Sequence, residues 1–577
     1  MRSWSRTVNA SPPSLRVLIV GGYGIFGGRL AELLANEPRL TLIIAGRSLT
    51  KAEFFCASRP VRARLLPALF DREQPLEPQL QALKPDIVVD ASGPFQAYGK
   101  EPYRLIEATI ACGADYFDFS DGAAFVRGVT SLDAAARQRG VTILSGVSSF
   151  PVLTAAVIRH LAGAFSRIET IRAGIAPSPH AIVGENVLKA IASYAGQAVP
   201  ARRQGQTLLV HPLTETCRFT IAPPGQLPLS STLFSLVEVP DLLLLADLWP
   251  GVRSVWVGAG PRPEILHRCL IGLSLLVRWK ILPSLRPLAG LFLWANRILR
   301  WGPHRGGMFV EVGGSGHRGE PLTRSWHLTA DGDDGPYIPA MAIEALIRRR
   351  LDGIRPEPGA RPATEALTLG DYDRVFAGRP FAHGTRDATV EAGLPPYPHV
   401  LGSAYRNLPP AIQALHRHES SHSVSGRASV ERGKGLLSRL VGALVGFPEA
   451  GADVPVRVSF EIGRSQGSSQ EIWRREFAGR RFRSVQTAGR GRNAGLLDER
   501  FGPFSFGLAL LAEDGRLKLV VRNWRFLGLP LPRFLAPYGN SFESAEDGRF
   551  NFHVEIAHPL LGLIVRYRGW LVEDAPR

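Results

Sequence analysis

Lysine is scarce in this chain of 577 residues: seven of its 68 basic residues are lysine and the rest are arginine. With 51 acidic residues the formal net charge is +17. Such a balance draws a protein toward anionic surfaces. The sequence nevertheless lacks a lysine-rich arm, zinc-finger spacing and an RNP-type aromatic pattern, so nucleic acid is not expected as a partner. Cysteine is also scarce. Cys56, Cys112, Cys217 and Cys269 stand far apart and form no C-x-x-C, which argues against a zinc ribbon or a small disulfide scaffold. They fit buried thiols in a reducing, cytoplasmic compartment. No apolar run approaches the roughly 18 to 20 residues that a spanning helix needs. Met1 to Ser14 has no apolar core and is expected to be a disordered tail, not a signal peptide.

What is present begins at Val17. Val17 to Val20 is an apolar, β-branched run suited to a strand buried on both faces. Gly22, Gly24 and Gly27 follow as G-x-G-x-x-G, and Leu30, Leu33 and Leu34 recur at helical spacing. Strand, glycine turn and helix form the context of a dinucleotide-binding site. Gly22 is expected to make the tight turn, Gly24 to admit a pyrophosphate, and Gly27 to let helix and strand pack closely. Tyr23, Ile25 and Phe26 complete the loop.

Leu40 to Ala45 predicts a second strand, ending at Gly46-Arg47-Ser48. No Asp or Glu occurs between Pro38 and Lys51, so the usual reader of the NAD ribose hydroxyl is missing. Arg47 and Ser48 offer a guanidinium and a hydroxyl to a 2′-phosphate, which favours NADP(H) over NAD(H). Further strands are expected at 61–68, 86–91, 115–119 and 141–144, with helices at 77–83, 100–112 and 133–139. Alternation of this kind gives a doubly wound Rossmann domain over residues 15–147.

The loop Ser92-Gly93-Pro94-Phe95, followed by Tyr98-Gly99, then Ala111-Cys112-Gly113 and Asp115-Tyr116-Phe117-Asp118-Phe119-Ser120-Asp121, resembles the saccharopine dehydrogenase-like reductases. That group includes saccharopine reductases and trans-acting enoyl reductases of lipid assembly. The resemblance covers roughly Leu15 to Ala377. It implies a nicotinamide cofactor at the glycine loop, Gly93, Pro94 and Phe95 near the nicotinamide ribose, and an inserted α+β domain before a closing helix. One departure matters. Where saccharopine reductases carry G-x-D-P-G, this chain has Gly146-Val147-Ser148-Ser149-Phe150-Pro151. Without the acidic residue, saccharopine itself is not the expected substrate. Tyr98, Lys100, Asp118 and Asp121, near carboxyl ends of strands, are the candidates for proton transfer. Each also has a structural reading as packing, surface charge or cap.

Residues 148–377 predict the α+β middle domain with its closing helix, and 378–407 a linker rich in proline and glycine. Within the middle domain, 270–301 mixes Leu, Ile, Trp and Phe with Arg278, Lys280, Arg286, Arg297 and Arg300. It suits either a pair of buried helices at a domain or homodimer interface or a basic amphipathic segment touching the inner membrane face. Residues 408–577 change rhythm to alternating strands, with Asp514-Gly515 and Asp547-Gly548 as hairpin turns. An antiparallel, curled or barrel-like sheet is expected. Trp473-Arg474-Arg475-Glu476-Phe477, Glu546-Asp547-Gly548-Arg549-Phe550 and Tyr567-Arg568-Gly569-Trp570 resemble a bacterial domain of unknown function, number 4166. His418, Glu419 and His422 form HExxH, and His416 precedes it. Crowding serines and a strand-like continuation argue for a polar loop, so no metal is assigned.

The sequence thus predicts an NADP(H)-dependent oxidoreductase acting on a small or lipid-linked carbonyl, imine or enoyl group. The alternative is a non-catalytic nucleotide-binding scaffold whose C-terminal sheet holds a ligand or partner.

Overall fold

The computed structural model describes residues 14–59, 61–182, 184–417, 421–465 and 468–574. The first elements alternate as expected: β1 (Leu15–Val20), α1 (Ile25–Leu34), β2 (Leu40–Gly46), α2 (Leu49–Ala57), β3 (Arg64–Leu69), α3 (Leu76–Leu83) and β4 (Ile87–Asp90). Then come α4 (Arg104–Cys112), β5 (Asp115–Asp118), α5 (Ala123–Gly128), α6 (Asp133–Arg139) and β6 (Thr142–Ser145). β1, β2 and β4 are buried along nearly their whole length, as strands sandwiched between helices must be. All pairings in this sheet are parallel.

The inserted domain holds α7 (Thr154–Ala162), β7 (Phe165–Ala176), α8 (Glu185–Tyr194), β8 (Val199–Arg203), β9 (Gln206–Val210), β10 (Thr216–Ile221), β11 (Leu229–Leu236), α9 (Asp241–Leu248) and β12 (Ser254–Ala259). It continues with α10 (Glu264–Arg278), α11 (Ala289–Ile298), β13 (Arg305–Gly316), β14 (Pro321–Asp331) and the closing helix α12 (Ile338–Leu351). That helix docks on α1: the Tyr337 hydroxyl donates to Glu32 Oε2 at 2.6 Å and Arg348 Nη2 to the Leu33 carbonyl at 3.4 Å.

Two expectations are corrected here. The Rossmann sheet is not confined to residues 15–147: β15 (Gly359–Pro362) pairs in parallel with β6. The Rossmann sheet therefore has seven strands, in the order β15-β6-β5-β4-β1-β2-β3. Nor is 378–407 a free linker. After α13 (Leu369–Phe376), β16 (Phe381–Asp387) pairs antiparallel with β14 and completes the middle sheet β10-β11-β12-β7-β13-β14-β16. Arg386 anchors it, donating to the Ala222 carbonyl and the Glu391 carboxylate, each at 2.8 Å. Short helices α14 (Ala388–Glu391), α15 (Pro396–Leu401) and α16 (Pro410–His416) lead onward.

The C-terminal strands are β17 (His422–Arg432), then after α17 (Leu436–Val445), β18 (Gly451–Ser465), β19 (Ser468–Phe477), β20 (Arg480–Ala488), β21 (Leu497–Phe501), β22 (Phe504–Glu513) and β23 (Arg516–Phe526). β24 (Leu529–Pro530), β25 (Ser541–Glu546), β26 (Arg549–His558) and β27 (Gly562–Glu573) complete the set. The order β22-β21-β20-β19-β18-β17-β27-β26-β25-β23, with β22 also paired to β23, closes an antiparallel barrel of ten strands, and β24 hangs on β23. Asp514-Gly515 and Asp547-Gly548 have positive φ at both residues, the conformation of tight hairpin turns. No helix among the described residues is long and apolar enough to cross a membrane.

The segment 270–301 is half-buried. Val277, Leu285 and Ala289 face inward, while Trp279, Ile281, Leu291, Trp294, Ile298 and Trp301 are exposed. His418 and Glu419 lie outside the described residues. His422 opens β17 and stacks on Phe460 at 4.4 Å, so it stands on a strand. Among the described residues no group of three or more His, Cys, Asp or Glu is placed to hold a metal.

Candidate functional site

Strand order reverses between β1 and β4, so the crevice at their carboxyl ends is where an open α/β sheet receives a ligand. The glycine loop fills one side of it. Gly22 lies within the tight turn, and the positive φ of that turn, +79°, belongs to its neighbour Gly21. Gly22 is constrained differently: a Cβ there would lie 2.8 Å from the Ile19 carbonyl oxygen. At Gly27 a Cβ would lie 2.4 Å from the Gly21 carbonyl oxygen, so helix and turn approach as closely as glycine permits. Gly24 is the exposed N-cap of α1, and no side chain caps this end. The first-turn N–H groups and the positive end of the helix dipole are left for an anion.

Tyr23 ties this loop to the end of β2. Its hydroxyl accepts from the Ser48 N–H at 3.1 Å, and its ring covers Gly46, where a Cβ would be 2.5 Å from the hydroxyl oxygen. Ser48 caps α2, accepting from the Lys51 N–H. Beside it Arg47 is exposed, and it makes no hydrogen bond or ion pair among the described residues. A guanidinium fork free of internal partners, next to an uncapped helix end, can hold a phosphate group. Phe26 stacks on Phe119 at 5.6 Å, and Ile25 reaches toward Gly184 of the middle domain.

At the end of β4 the side chains turn inward. Asp90 is fully buried and accepts from the Ser92 N–H at 2.9 Å, the Ser92 hydroxyl at 2.6 Å and the Tyr98 hydroxyl at 3.1 Å. The Arg72 guanidinium lies over the Tyr98 ring at 3.3 Å. Burial, with Asp90 beside it, raises the Tyr98 phenol far above its ordinary range. Phe95 is buried between Tyr98 and Phe125, so the loop offers the crevice its backbone at Gly93 and Pro94. Lys100 is exposed and precedes α4, whose first residue is Arg104.

β5 ends in two carboxylates with different surroundings. Asp118 is fully buried, and its Oδ1 accepts from the N–H groups of Ser120 at 2.9 Å and Gly146 at 2.7 Å. Burial pushes its carboxyl up to about 7, against the lowering effect of those two N–H groups. Asp121 accepts from Gln96 Nε2 at 3.0 Å and is also raised by burial. Across the crevice, Glu238 of the middle domain is raised by burial and then by the charge of Asp121. Tyr194, at the end of α8, is raised by burial and by the charges of both carboxylates. Asp121, bonded to Gln96, and the middle-domain groups Glu238 and Tyr194 are thus near enough to feel one another's charge across the two domains. Of these only Asp121 is among the residues singled out in the sequence. Glu238 carried a visible signal, a lone carboxylate in the apolar run Leu236-Val237-Glu238-Val239.

Residues 17–144 match the saccharopine dehydrogenase NADP binding domain. The match supports a nicotinamide cofactor and the oxidoreductase class for this domain. Residues 408–571 match a domain of unknown function, DUF4166. Among solved structures, apo saccharopine dehydrogenase (L-Glu forming) from Saccharomyces cerevisiae is 12% identical, with a TM-score of 0.44, covering 64% of this chain and 100% of that one. A myo-inositol dehydrogenase from Corynebacterium glutamicum is 12% identical, TM-score 0.30, covering 59% and 89%. The WlbA dehydrogenase from Thermus thermophilus, solved with NAD and α-ketoglutarate, is 12% identical, TM-score 0.28, covering 59% and 88%. No curated protein matches the sequence.

Proposed function

We propose that the chain is an NADP(H)-dependent oxidoreductase acting on a hydrophobic or lipid-linked carbonyl, imine or enoyl group. The observation that carries the cofactor preference is Arg47, free of internal partners at the end of β2 beside the uncapped start of α1. The first turn of α1 binds the pyrophosphate, Arg47 and Ser48 the 2′-phosphate, and backbone at Gly93 and Pro94 runs along the nicotinamide ribose. The cofactor supplies the hydride chemistry. Asp121, oriented by Gln96 and held toward its neutral form by burial, is the group placed to hold a proton for the substrate, with Glu238 and Tyr194 facing it. Tyr98 and Asp118 are tied into internal hydrogen bonds and act as positioning residues, and Lys100 stands at the exposed rim. The exposed tryptophans of 270–301, beside Arg278 and Lys280, rest against an anionic membrane surface that presents the substrate.

Calorimetric titration with NADPH and NADH tests the cofactor assignment. Arg47→Ala is expected to weaken NADPH binding at least tenfold and leave NADH unchanged. Equal loss for both nucleotides would reject the 2′-phosphate role. The rival reading, a non-catalytic scaffold, is favoured by the internal engagement of Tyr98 and Asp118. It predicts nucleotide binding with no NADPH oxidation on any lipid-extract fraction, and with no effect of Asp121→Asn on turnover.

A further inference from the structure

The ten-strand barrel is not filled. It holds a partly open cavity of about 430 Å³, within the roughly 300–1,000 Å³ of small-molecule sites. Most of its wall is apolar, including Val441 and Val445 from α17 and Phe477, Leu508, Leu519 and Ile556 from the strands. A close-packed protein seldom leaves such a volume empty.

The polar groups on the wall separate into engaged and waiting. Arg475 is engaged: Nη1 donates to the Ser484 hydroxyl at 2.8 Å, its guanidinium lies 3.5 Å from Glu499, and it stacks 4.7 Å from the Trp473 ring. Glu543 accepts from His416 Nε2 at 2.7 Å, and Glu555 from Arg566 at 2.8 Å. Every carboxylate and guanidinium on the wall thus has an internal partner, and none calls for a charged ligand. Gln486 differs. It is 1% exposed, and its Nε2 donates to Glu499 Oε1 at 2.8 Å, which fixes the amide orientation. Its Oε1 is buried on the wall with no hydrogen-bond partner among the described residues. A buried acceptor left unpaired costs about 1–3 kcal/mol, and a ligand donor would remove that cost.

We propose that the barrel binds one uncharged amphiphile: a hydrocarbon body along the apolar wall and a hydroxyl or amide N–H donating to Gln486 Oε1. The access wall is α17, which turns Val441 and Val445 inward while Leu436, Leu437, Leu440 and Leu444 are 63–84% exposed. A helix apolar on both faces suits the boundary between a greasy interior and a ligand arriving from outside. This site is independent of the dinucleotide half.

The test uses the full chain and the fluorescent probe 1-aminoanthracene, displaced by 1-decanol, decanoic acid or decane. The expected result is saturable probe binding, displaced by 1-decanol at least tenfold better than by decane or by decanoate at pH 8. Gln486→Leu should bring decanol and decane within about twofold of each other. Leu519→Trp and, separately, Ile556→Trp should each weaken probe binding at least tenfold while NADPH affinity and the melting temperature hold. Absence of saturable binding to the parent chain would overturn the proposal. So would undiminished binding in a filled variant that melts normally, or preference for decanoate.

Discussion

At the scale of single residues, the carboxylates are distributed unusually. Asp241 opens α9 within Val239-Pro240-Asp241-Leu242-Leu243-Leu244-Leu245. It is 0% exposed, and neither of its carboxylate oxygens has a hydrogen-bond partner among the described residues. Burial pushes it up to about 7. The folded protein therefore keeps a proton that the unfolded chain releases near pH 4, and stability falls as pH rises from about 4 to about 7. Asp118, also raised to about 7, acts in the same window. Asp241→Asn should match the parent at pH 4 and exceed it by about 2–4 kcal/mol at pH 8, measured by denaturant unfolding. A second residue-scale test is Gly27→Ala. Its Cβ would meet a backbone oxygen, which cannot swing aside as a flexible side chain can. NADPH binding should drop below detection while the barrel still takes up its probe. The two positions differ in how openly the sequence shows them. Gly27 is marked by its motif, and Asp241 by one charge among leucines. Gln96 and Tyr194 carried no mark, because a polar residue beside a helix end looks like any surface residue until another domain covers it.

At the scale of elements, periodicity located most strands and helices to within a few residues. Among the strands it did not mark are β8, β9, β10, β15, β16, β21 and β25. Gly359-Ala360-Arg361-Pro362 is too short to show alternation and ends in proline, a residue tolerated at the edge of a sheet. β16 contains a glycine and a histidine where β-branched residues are expected. Both strands are held by partners distant in sequence. Arg355, just ahead of β15, donates to both oxygens of buried Asp115, Nε to Oδ2 at 3.0 Å and Nη2 to Oδ1 at 2.5 Å. Asp115 also accepts from the Thr142 N–H at 2.8 Å. Arg355→Ala leaves that carboxylate buried with one donor, and should lower stability by about 2 kcal/mol, read as a shift of the denaturant midpoint. For β16, limited proteolysis of the native protein should spare the arginine bond at 386, since its carboxyl-side neighbour Asp387 is still in the strand and Arg386 is tied to Ala222 and Glu391. Rapid cleavage there would show that this stretch behaves as a linker.

At the scale of the whole molecule, three units share one chain, and the middle one touches both of the others. The Ala512 N–H in the barrel donates to the Gly225 carbonyl of the middle domain at 2.9 Å, and Leu227 packs on Leu496 and Leu511. Hairpin turns made many of the barrel's strands legible, β22 and β23 across Asp514-Gly515 among them, but its closure rests on the pairing of its first and last strands, β17 and β27, which no local pattern announces. The net charge of +17 and the exposed aromatic ridge of 270–301 act together at this scale. Cosedimentation with phosphatidylglycerol vesicles should be strong at low salt, weaken at 0.5 M salt, and fall at least threefold in Trp294→Ser/Trp301→Ser. If the ridge is instead a homodimer face, the same variant will lower the molecular mass in solution and leave vesicle binding unchanged.

The pairing of β15 with β6 also bears on how the protein is made. During synthesis the first six strands leave the ribosome long before their last neighbour does, because most of the middle domain, from α7 to α12, is translated in between. Until then β6 presents a bare edge and Asp115 waits for its arginine. An open edge on a nascent chain invites pairing with other chains. The Rossmann sheet is therefore completed late for an N-terminal domain, and chaperone occupancy on translating ribosomes should persist until Pro362 has cleared the exit tunnel.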